Sequence, residues 1–509
     1  MRRTAGRGHV MAASAVRRLH HDERGQSLAI ILALVTVLFL MGSALAVHAS
    51  VALRTTVANE EQAGDLYAAD AGAELGMWWQ RNGNPGNPPD ITVNSLNVST
   101  TVGITPGPCP SPAATKVTGF ESGAVSQSGG GLFLTVSGTG VTADNVVTRT
   151  GGWSLEITDP TGSSHNARIA AAGNVAVFRL YLRLASLPAT NVNELLSGDL
   201  LNGNDLRLGY QASGQRLTLR FGNAAVTVAS TSVSAGTWYR LDLRLTGNAN
   251  PRTADWQIDG VAQTSIASAE NGRTVTALRL GSVSAADVYN VNFDDVLIST
   301  TSGDYPVGAG TVEALRPDGM GTSLTPGSFR EEDGSAIDAN TYSRLDDDPM
   351  TSTFQYVRQQ TIGTTAYLGL TMDDTTAACI VGVSGVVAYR SATTTSNRGK
   401  TSFFDGATES IVYTGDMSET AVFYRSAIVA PAAGSWTPSG LNGLEARIGY
   451  SSDVTPNPYW DSLLLEFATG VTAPGLVTVT SSAGNSTVTA TYTDAGSASP
   501  TLLSWSTTR

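Results

Sequence analysis

The sequence predicts a mainly β protein: a long N-terminal transmembrane α-helix, then two tandem β-sandwich domains and a short β tail. Three observations lead to this fold class. The stretch from Leu28 to Val47 has no charged residue and is long enough to cross a bilayer core as a helix. Short runs of alternating apolar and polar residues recur between residues 117 and 470, as in sandwich strands. Charged residues make up only 15% of the chain, which is typical of a secreted β protein when Gly, Ser and Thr abound.

The N-terminal region predicts a single-pass protein of the cytoplasmic membrane. Arginines crowd the residues before the apolar stretch, which predicts a cytoplasmic N-terminus and later domains that are extracellular. Proline is absent from residue 26 until Pro85, so one continuous helix is expected. The expected divisions are a leader (1–25), this helix (26–81), a Pro/Gly-rich linker (82–116), a first sandwich (117–301), a second sandwich (302–470) and a fibronectin-like tail (471–509). The tail is too short for a whole fibronectin-like module, so it either pairs with another domain or chain, or is cut short.

The leader and the helix carry two motifs. A charged leader ends at Gly25, Gln26 follows, and Ala68 to Gly72 forms an Ala-Ala-acid-Ala-small motif. Together they resemble the PilX-type N-terminal segment of type IV pilins and pseudopilins, over about residues 24–80. The resemblance implies that a prepilin peptidase cuts between Gly25 and Gln26.

The same resemblance implies a role for the helix that remains. It would be a membrane anchor and then a filament core beside other pilin subunits, through a segment that includes Leu28, Ile30, Val47, Ala69 and Asp70. Major pilins carry Glu at the position of Ile30, so the resemblance implies a minor subunit. The alternative is an uncleaved single-pass anchor.

The first sandwich carries a set of strand motifs. They are Trp238-Tyr239, the run Ile258-Asp259-Gly260-Val261, in which Asp-Gly is a hairpin signal, and the final strand from Asn292 to Ile298. These motifs resemble laminin-G-like and concanavalin-like jelly rolls. Arg279-Leu280-Gly281 and Arg447-Ile448-Gly449 each precede an aromatic-Asp segment. The second sandwich is therefore expected to be a diverged repeat of the first.

Several side chains are candidates for ligand binding. One set either lines a face that holds acidic glycans or forms a solvated outer face: Arg179, Arg183, Arg207, Arg216, Arg220, Arg240 and Arg244. Tyr459 and Trp460 either stack on a sugar or pack in the core. Asp294 and Asp295 are weak Ca²⁺ candidates; otherwise they brace the final strand or face solvent. No other cofactor is expected.

The sequence argues against an enzyme. Glycoside hydrolysis needs a pair of carboxylates, whereas the acids of the first sandwich are scattered singly (Glu121, Glu156, Glu194 and Glu270). His165 is the one histidine beyond the helix, so no His-based catalytic or zinc site is expected. The net charge of −12 argues against nucleic acid as a partner. Cys109 and Cys379 lie far apart in sequence, and no disulfide is expected between them.

These observations predict a minor type IV pilin-like protein, anchored in the membrane or part of a pilus. It would present lectin-like sandwiches for surface adhesion or pilus assembly, with a glycan or a cell-surface protein as a possible partner. Two alternatives remain: a membrane-anchored extracellular glycan-binding module outside a filament, and a secreted polysaccharide hydrolase.

Overall fold

A computed structural model describes most of the chain and divides it into two compact units. The units are Met1–Gly107 with Pro474–Arg509, and Pro108–Ala473. The described residues are 23–81, 87–105, 114–125, 134–159, 164–200, 206–222, 226–269, 273–283, 287–325, 327–348, 350, 355–360, 366–377, 379–391, 398–416, 422–431, 436–450, 458–470, 476–493 and 502–508. The predicted leader therefore lies almost wholly outside them.

The elements follow one another in a simple order: a helix, two strands, two sandwiches and three final strands. The chain starts with α1 (Glu23–Arg81), β1 (Ile91–Val93) and β2 (Leu96–Thr105). The first sandwich contains β3 (Ala114–Thr118), β4 (Leu134–Ser137), β5 (Val141–Asp144), β6 (Ser154–Asp159), β7 (His165–Gly173), β8 (Val175–Leu184), β9 (Val192–Leu200), β10 (Leu206–Gln211), β11 (Arg216–Phe221), β12 (Thr227–Ser232), β13 (Trp238–Thr246), β14 (Arg252–Ile258), β15 (Val261–Ala262), β16 (Ile266–Ser268), β17 (Val275–Ser282) and β18 (Tyr289–Ser299).

The second sandwich and the final strands complete the chain. The second sandwich contains β19 (Val312–Leu315), β20 (Pro317–Leu324), β21 (Phe329–Glu331), β22 (Val357–Gln359), β23 (Tyr367–Met372), β24 (Ile380–Ser391), β25 (Arg398–Phe404), β26 (Glu409–Asp416), β27 (Val422–Ile428), α2 (Pro438–Asn442), β28 (Glu445–Tyr450) and β29 (Pro458–Thr469). The last strands are β30 (Leu476–Ala483), β31 (Ser486–Thr493) and β32 (Leu502–Thr508). The predicted fold class, mainly β after one long N-terminal helix, is confirmed.

The first unit is a helix covered by one antiparallel sheet that both ends of the chain build. Its five strands lie in the order β1-β2-β30-β31-β32. Thr105, the last residue of β2, pairs with Leu476, the first of β30. The tail therefore pairs with residues expected to be a linker, and the region 82–116 contains β1, β2 and part of β3. Everything between β2 and β30 is an insertion into this sheet.

Helix α1 has two halves with different surroundings. Side chains from residue 29 to 63 are exposed, among them Ile30 at 65% and Val47 at 63%. By length and composition this helix is able to cross a membrane, a property that membrane anchors share with signal sequences. In the second half, Ala69 is fully buried, in a cluster with Val98 and Val479 of the sheet. Ala69, expected in the membrane or filament helix, is therefore a packing residue of this unit.

Two glycines let the second half of α1 approach the sheet closely. A methyl group added at Gly72 would lie 2.1 Å from Ser481 Oγ and 2.4 Å from Val98 Cγ1. One added at Gly76 would lie 2.5 Å from Val479 Cγ1. The Ala-Ala-acid-Ala-Gly motif thus has a local physical reason, because only small residues fit between the helix and the strands.

We expect Gly72→Leu to weaken the packing of α1 on the sheet, and Gly64→Leu to leave it intact. The larger side chain at position 72 must displace Ser481 and Val98, which costs about 1–3 kcal/mol, whereas nothing lies within 4 Å of Gly64. Hydrogen exchange on the full chain in detergent should show β30 amides exchanging roughly 5- to 150-fold faster in Gly72→Leu only. Equal protection in both variants would contradict the packing described.

The first sandwich packs two antiparallel sheets around one apolar core. A seven-stranded sheet has the order β12-β11-β10-β9-β17-β7-β4. The facing nine-stranded sheet has the order β15-β14-β13-β8-β18-β6-β5, with β16 beside β14 and β3 beside β18. The predicted hairpin is confirmed: Asp259 and Gly260, between β14 and β15, have φ of 49° and 83°, as a type I′ turn requires.

The second sandwich repeats the central topology of the first. Its sheets have the orders β21-β22-β29-β24-β27, with β19 beside β29, and β20-β23-β28-β25-β26. The motif arginines occupy matching places: Arg279 of β17 pairs with Ser197 of β9, and Arg447 of β28 pairs with Ser402 of β25. This register supports the diverged repeat expected from the sequence.

The two sandwiches belong to one unit and share a buried polar junction. Arg425 of β27 and Glu466 of β29 form a fully buried ion pair with N–O distances of 2.5 and 2.9 Å. Glu466 also accepts the backbone N–H groups of Gly119 and Glu121 from the first sandwich, at 3.3 and 3.0 Å. Arg425 donates to the carbonyl oxygen of Val117. The pair therefore fixes the start of the first sandwich against the end of the second.

Cys379 is in a disulfide, which corrects the expectation of none. The other cysteine, Cys109, lies outside the described residues. Sequence separation was a poor guide because the fold brings distant segments together: Val117 and Ala468 pack in the same apolar cluster.

Removing Arg425 should destabilise the inserted unit strongly. Arg425→Met leaves the Glu466 carboxylate buried without its cation, which typically costs about 3–5 kcal/mol. Arg244→Met is a suitable control, because its ion pair with Asp255 is partly exposed and worth about 1 kcal/mol or less. Urea unfolding of the full chain in detergent measures both. Equal losses for the two variants would show that the buried pair does not hold the junction.

Glu121 should make this unit less stable as the pH rises. Burial, opposed by a hydrogen bond from Gly152 N–H and reinforced by the charges of Glu466, Asp294 and Asp295, raises the pKa of Glu121 from 4.5 to about 9. Between those values the folded chain keeps a proton that the unfolded chain has lost, so stability falls with increasing pH. Glu121→Gln should flatten urea-unfolding midpoints between pH 5 and pH 9 and exceed wild-type stability at the upper end. An unchanged slope would contradict the assignment.

Candidate functional site

The outer face of the seven-stranded sheet carries a row of arginines that runs across the strands. Cross-strand pairing joins Arg168 to Arg279, Arg279 to Ser197, Ser197 to Arg207, and Arg207 to Arg220. Because neighbouring strands lie about 4.8 Å apart, this arginine row spans roughly 19 Å. Four cations and a serine therefore lie side by side on one surface.

Strand alternation explains why these side chains point outward. In β11, Leu217, Leu219 and Phe221 belong to the buried core. The alternate residues of the strand, Arg216, Thr218 and Arg220, are exposed or half-buried. Successive side chains of a strand point to opposite faces, so the same sequence that builds the core also places the arginines outside.

The two ends of the arginine row differ in how their charge is compensated. Asp199 accepts hydrogen bonds from both Arg168, at 3.2 Å, and Arg279, at 2.5 Å. At the other end, Arg207 Nε lies 3.9 Å from Glu194 Oε2. Arg220 donates to the carbonyl oxygen of Gly222 at 3.4 Å and has no acidic partner among the described residues. Each end thus has two arginines and one carboxylate, but Arg220 is the arginine of the row that lacks an acidic partner among the described residues.

Glu194 lies beside this end as a buried carboxyl group. Its residue is 1% exposed, and burial raises the pKa of Glu194 while Ser197, Arg207 and Arg279 oppose the rise. Neither carboxyl oxygen has a hydrogen bond of good geometry to a described residue. Glu194 therefore lies beneath the surface and is not among the residues that line the cleft at this end.

A cleft of about 370 Å³ opens at the same end of the arginine row. It lies between the irregular stretch of β9 and strands β10 to β12. Its lining mixes amides, hydroxyls, arginines and two exposed valines: Asn191, Val192, Asn193, Arg207, Tyr210, Gln211, Thr218, Arg220, Val226 and Val228. This composition suits a ligand that is both polar and partly apolar.

A bulge in β9 shapes the cleft. The pairing of β9 with β10 jumps from Leu196–Leu208 to Val192–Tyr210, so three residues oppose Gly209 alone. A side chain at Gly209 would lie 2.5 Å from the Val192 carbonyl oxygen. Asp287 holds the bulge by accepting the backbone N–H groups of Asn193 and Glu194, at 3.0 and 3.1 Å. The wall of the cleft is therefore fixed by the fold and not by a free loop.

The arginines expected to form one face are divided between the two sheets. Arg207, Arg216 and Arg220 lie on the seven-stranded sheet, whereas Arg179, Arg183, Arg240 and Arg244 lie in β8 and β13 of the other. The sequence pattern did not indicate that Arg168 and Arg279 belong to this face. The core positions beside Arg168 include alanines, so its strand shows only weak alternation of apolar and polar residues.

Arg179 is fully buried, because the second sandwich covers its side of β8. Its guanidinium group donates to the carbonyl oxygens of Thr469, at 2.8 Å, and Thr311, at 3.5 Å. Burial lowers the pKa of Arg179, and the charge of Asp295 opposes that change. The half-buried strand predicted here is thus buried on both faces.

Asp294 and Asp295 are buried, and donors of the protein occupy their oxygens. Asp294 accepts from the backbone N–H groups of Arg149, Thr150 and Asp295. Asp295 accepts from Thr150 Oγ1, from Val312 N–H and from the Arg149 guanidinium group. Burial, and then the neighbouring charge, raises the pKa of Asp294. These contacts favour the bracing role over Ca²⁺ binding, and no acidic or His/Cys cluster of metal-site size occurs among the described residues.

The two aromatic candidates of the second sandwich have different places. Trp460 is fully buried in the core. Tyr459 is half-buried and lies 4.6 Å from the ring centroid of Tyr356, with Arg390 over both rings. Only Tyr459 of the pair is available at the surface, and its ring already has partners.

The equivalent face of the second sandwich is neutralised within the protein. Arg447 forms an ion pair with Glu445 at 2.9 Å, and its guanidinium carbon lies 3.4 Å from the ring centroid of Phe404. Lys400 forms an ion pair with Glu409 at 2.6 Å. Among the described residues, the lack of an acidic partner at Arg220 therefore distinguishes this face of the first sandwich from its repeat.

Comparisons with known proteins find likeness only at the level of three-dimensional shape. No family model matches the sequence, and no curated protein matches it. Domain 4 of a GH43 extracellular arabinanase from Geobacillus stearothermophilus, solved with arabinotriose, is 15% identical, covers 37% of this chain and 92% of that one, and has a TM-score of 0.29.

Two further structures are similar to the same limited degree. The N-terminal tandem CBM22 domains of a Paenibacillus barcinonensis protein are 13% identical over 71% of this chain and 98% of theirs, with a TM-score of 0.23. Trypanosoma rangeli sialidase is 14% identical over 35% of this chain and 30% of its own, with a TM-score of 0.26. Another sialidase is covered over only 19% of its length. Likeness of this degree says nothing about ligand or reaction.

Proposed function

We propose that this chain is a membrane-anchored, minor pilin-like surface protein whose inserted sandwich body binds a glycan outside the cell. The observation that carries the proposal is the division of α1 into an exposed apolar half and a half buried under the sheet. A long helix whose apolar half has no packing partner among the described residues needs lipid or neighbouring helices around it. Both environments suit a subunit that passes from a membrane into a filament.

The orientation and the minor role rest on the sequence at the N-terminal end. The arginines before the apolar stretch keep that end in the cytoplasm, and the inserted unit then lies outside. Helix α1 is continuous through Gly25 and Gln26, whose side chains are not among those described. Ile30 is apolar and 65% exposed, so it offers no carboxylate to a neighbouring subunit.

The glycan-binding part of the proposal rests on the cleft of the first sandwich. Its wall is fixed by the Asp287 contacts, and its lining offers amide, hydroxyl and guanidinium groups that sugars use as partners. We propose binding without hydrolysis. Among the described residues, the acids of this face are Asp199, held by Arg168 and Arg279, and Glu194, which is 1% exposed. Neither is presented as a hydrolytic pair requires.

Processing of the native protein tests the pilin-like role. In wild type and in Gly42→Leu, where nothing lies within 4 Å of the glycine, we expect the mature chain to begin at Gln26. Gly25→Leu should keep the leader, since the cut needs a small residue there. Mass spectrometry of the N-terminal peptide from membranes and sheared surface filaments measures this.

The other outcomes separate the alternatives. An intact Met1 leader in wild type would leave a membrane-anchored protein outside a filament. A cut beyond Val47 would make the helix a signal sequence. Glycan binding is tested separately, on an array with the detergent-extracted full chain, and release of soluble sugar from a polysaccharide would establish the hydrolase alternative.

A further inference from the structure

We propose that the cleft selects an anionic sugar, whose acidic group is held by Arg207 and Arg220 while its hydroxyl groups contact the amide side chains of the lining. This inference rests on the proposed glycan binding and names the class of glycan. The acidic group that we expect on the sugar ring is a carboxylate or a sulfate.

Two positively charged side chains repel each other at the cleft. Arg207 and Arg220 are direct cross-strand partners, and like charges in that position destabilise a sheet. Asp199 contacts both arginines at the far end of the arginine row, whereas Arg220 has no acidic partner among the described residues. A bound anion removes this repulsion, so the sheet itself favours a charged ligand over a neutral one.

The guanidinium groups of Arg207 and Arg220 have a geometry that matches an acidic group. A guanidinium group presents a planar fork of N–H donors that matches the two oxygens of a carboxylate, or two oxygens of a sulfate. Two such groups on neighbouring strands at the mouth of the cleft provide more than one fork for a single acidic substituent. Lys residues, which act as point charges, are absent from the lining.

The lining also offers uncharged polar groups beside the two arginines. Gln211 and Thr218 contribute an amide and a hydroxyl group, which can donate to or accept from sugar hydroxyl groups. A ligand with an acidic group on the arginines and hydroxyl groups near these side chains would use both kinds of polar group in the cleft.

The lining also argues for a sugar over a single-stranded nucleic acid. Sequence-tolerant binding of bases needs exposed aromatic rings for stacking. Tyr210 is the aromatic residue of the lining, and it is only 2% exposed. Val226 and Val228 are exposed at 52% and 39% and offer an apolar wall that suits the C–H face of a sugar ring. The net charge of −12 disfavours long polyanions further.

The test uses calorimetry on the full chain in neutral detergent. The probes are trigalacturonic acid, its fully methyl-esterified form, a sulfated disaccharide, inorganic sulfate and oligothymidylate. We expect the acid or the sulfated sugar to bind and the ester to bind at least about tenfold more weakly, because one charge-assisted hydrogen bond accounts for that factor. Binding should also weaken as salt is raised.

Matched variants locate the site. Arg220→Gln and Arg207→Gln should each weaken binding of the anionic sugar at least about tenfold. Arg216→Gln, on the same strand and face but outside the cleft lining, should change it less than about twofold. A single cooperative melting transition confirms that each variant folds, because these side chains lie outside the core.

Each negative result would contradict a different claim. Equal binding of acid and ester, with no effect of Arg220→Gln, would overturn the anionic selection and leave glycan binding in place. Binding of inorganic sulfate or oligothymidylate as tight as that of the sugar would overturn recognition of a sugar. If no carbohydrate binds in calorimetry or on the array, the proposed function itself would be overturned.

Discussion

The pairing of β2 with β30 is the constraint on which the rest of the architecture depends. It closes the first sheet with segments from opposite ends of the chain, so the small residues of α1 gain a surface to pack against only when both segments are present. Loop-closure entropy grows slowly with loop length, so a very long insertion between paired strands costs little more than a short one. That property allows two whole sandwiches to stand between Thr105 and Leu476.

Within the inserted unit, charge burial is arranged in compensated groups. Arg425 and Glu466 satisfy each other and also bind backbone groups of the first sandwich. Asp294 and Asp295 are surrounded by donors. Isolated buried charges would be costly, whereas compensated ones cost less and tolerate only one arrangement of the two sandwiches. The buried polar contacts thus act together with the apolar cores in holding the two sandwiches to one arrangement.

Local signals in the sequence predicted those parts of the fold that depend on local physics. The uncharged run of α1 follows from composition, and the Asp259-Gly260 turn follows from the positive φ that both residues adopt. The alternating pattern around Arg179 also predicted a strand. It did not reveal that the outer face of this strand is covered, because alternation is the same whether solvent or a second domain lies beyond. The β2–β30 pairing gave no local signal at all.

The candidate site shows the same division. Arg207 and Arg220 were visible as polar residues between apolar ones, but their neighbours Arg168 and Arg279 come from distant strands and only register brings them into line. The repeated topology allows the two outer faces to be compared position by position. Arg279 and Arg447 occupy matching positions, yet Arg447 forms an ion pair with Glu445 and lies over the ring of Phe404. The core determines the fold of both sandwiches, whereas the outer face is free to carry different charges, so the same fold does not imply the same binding properties.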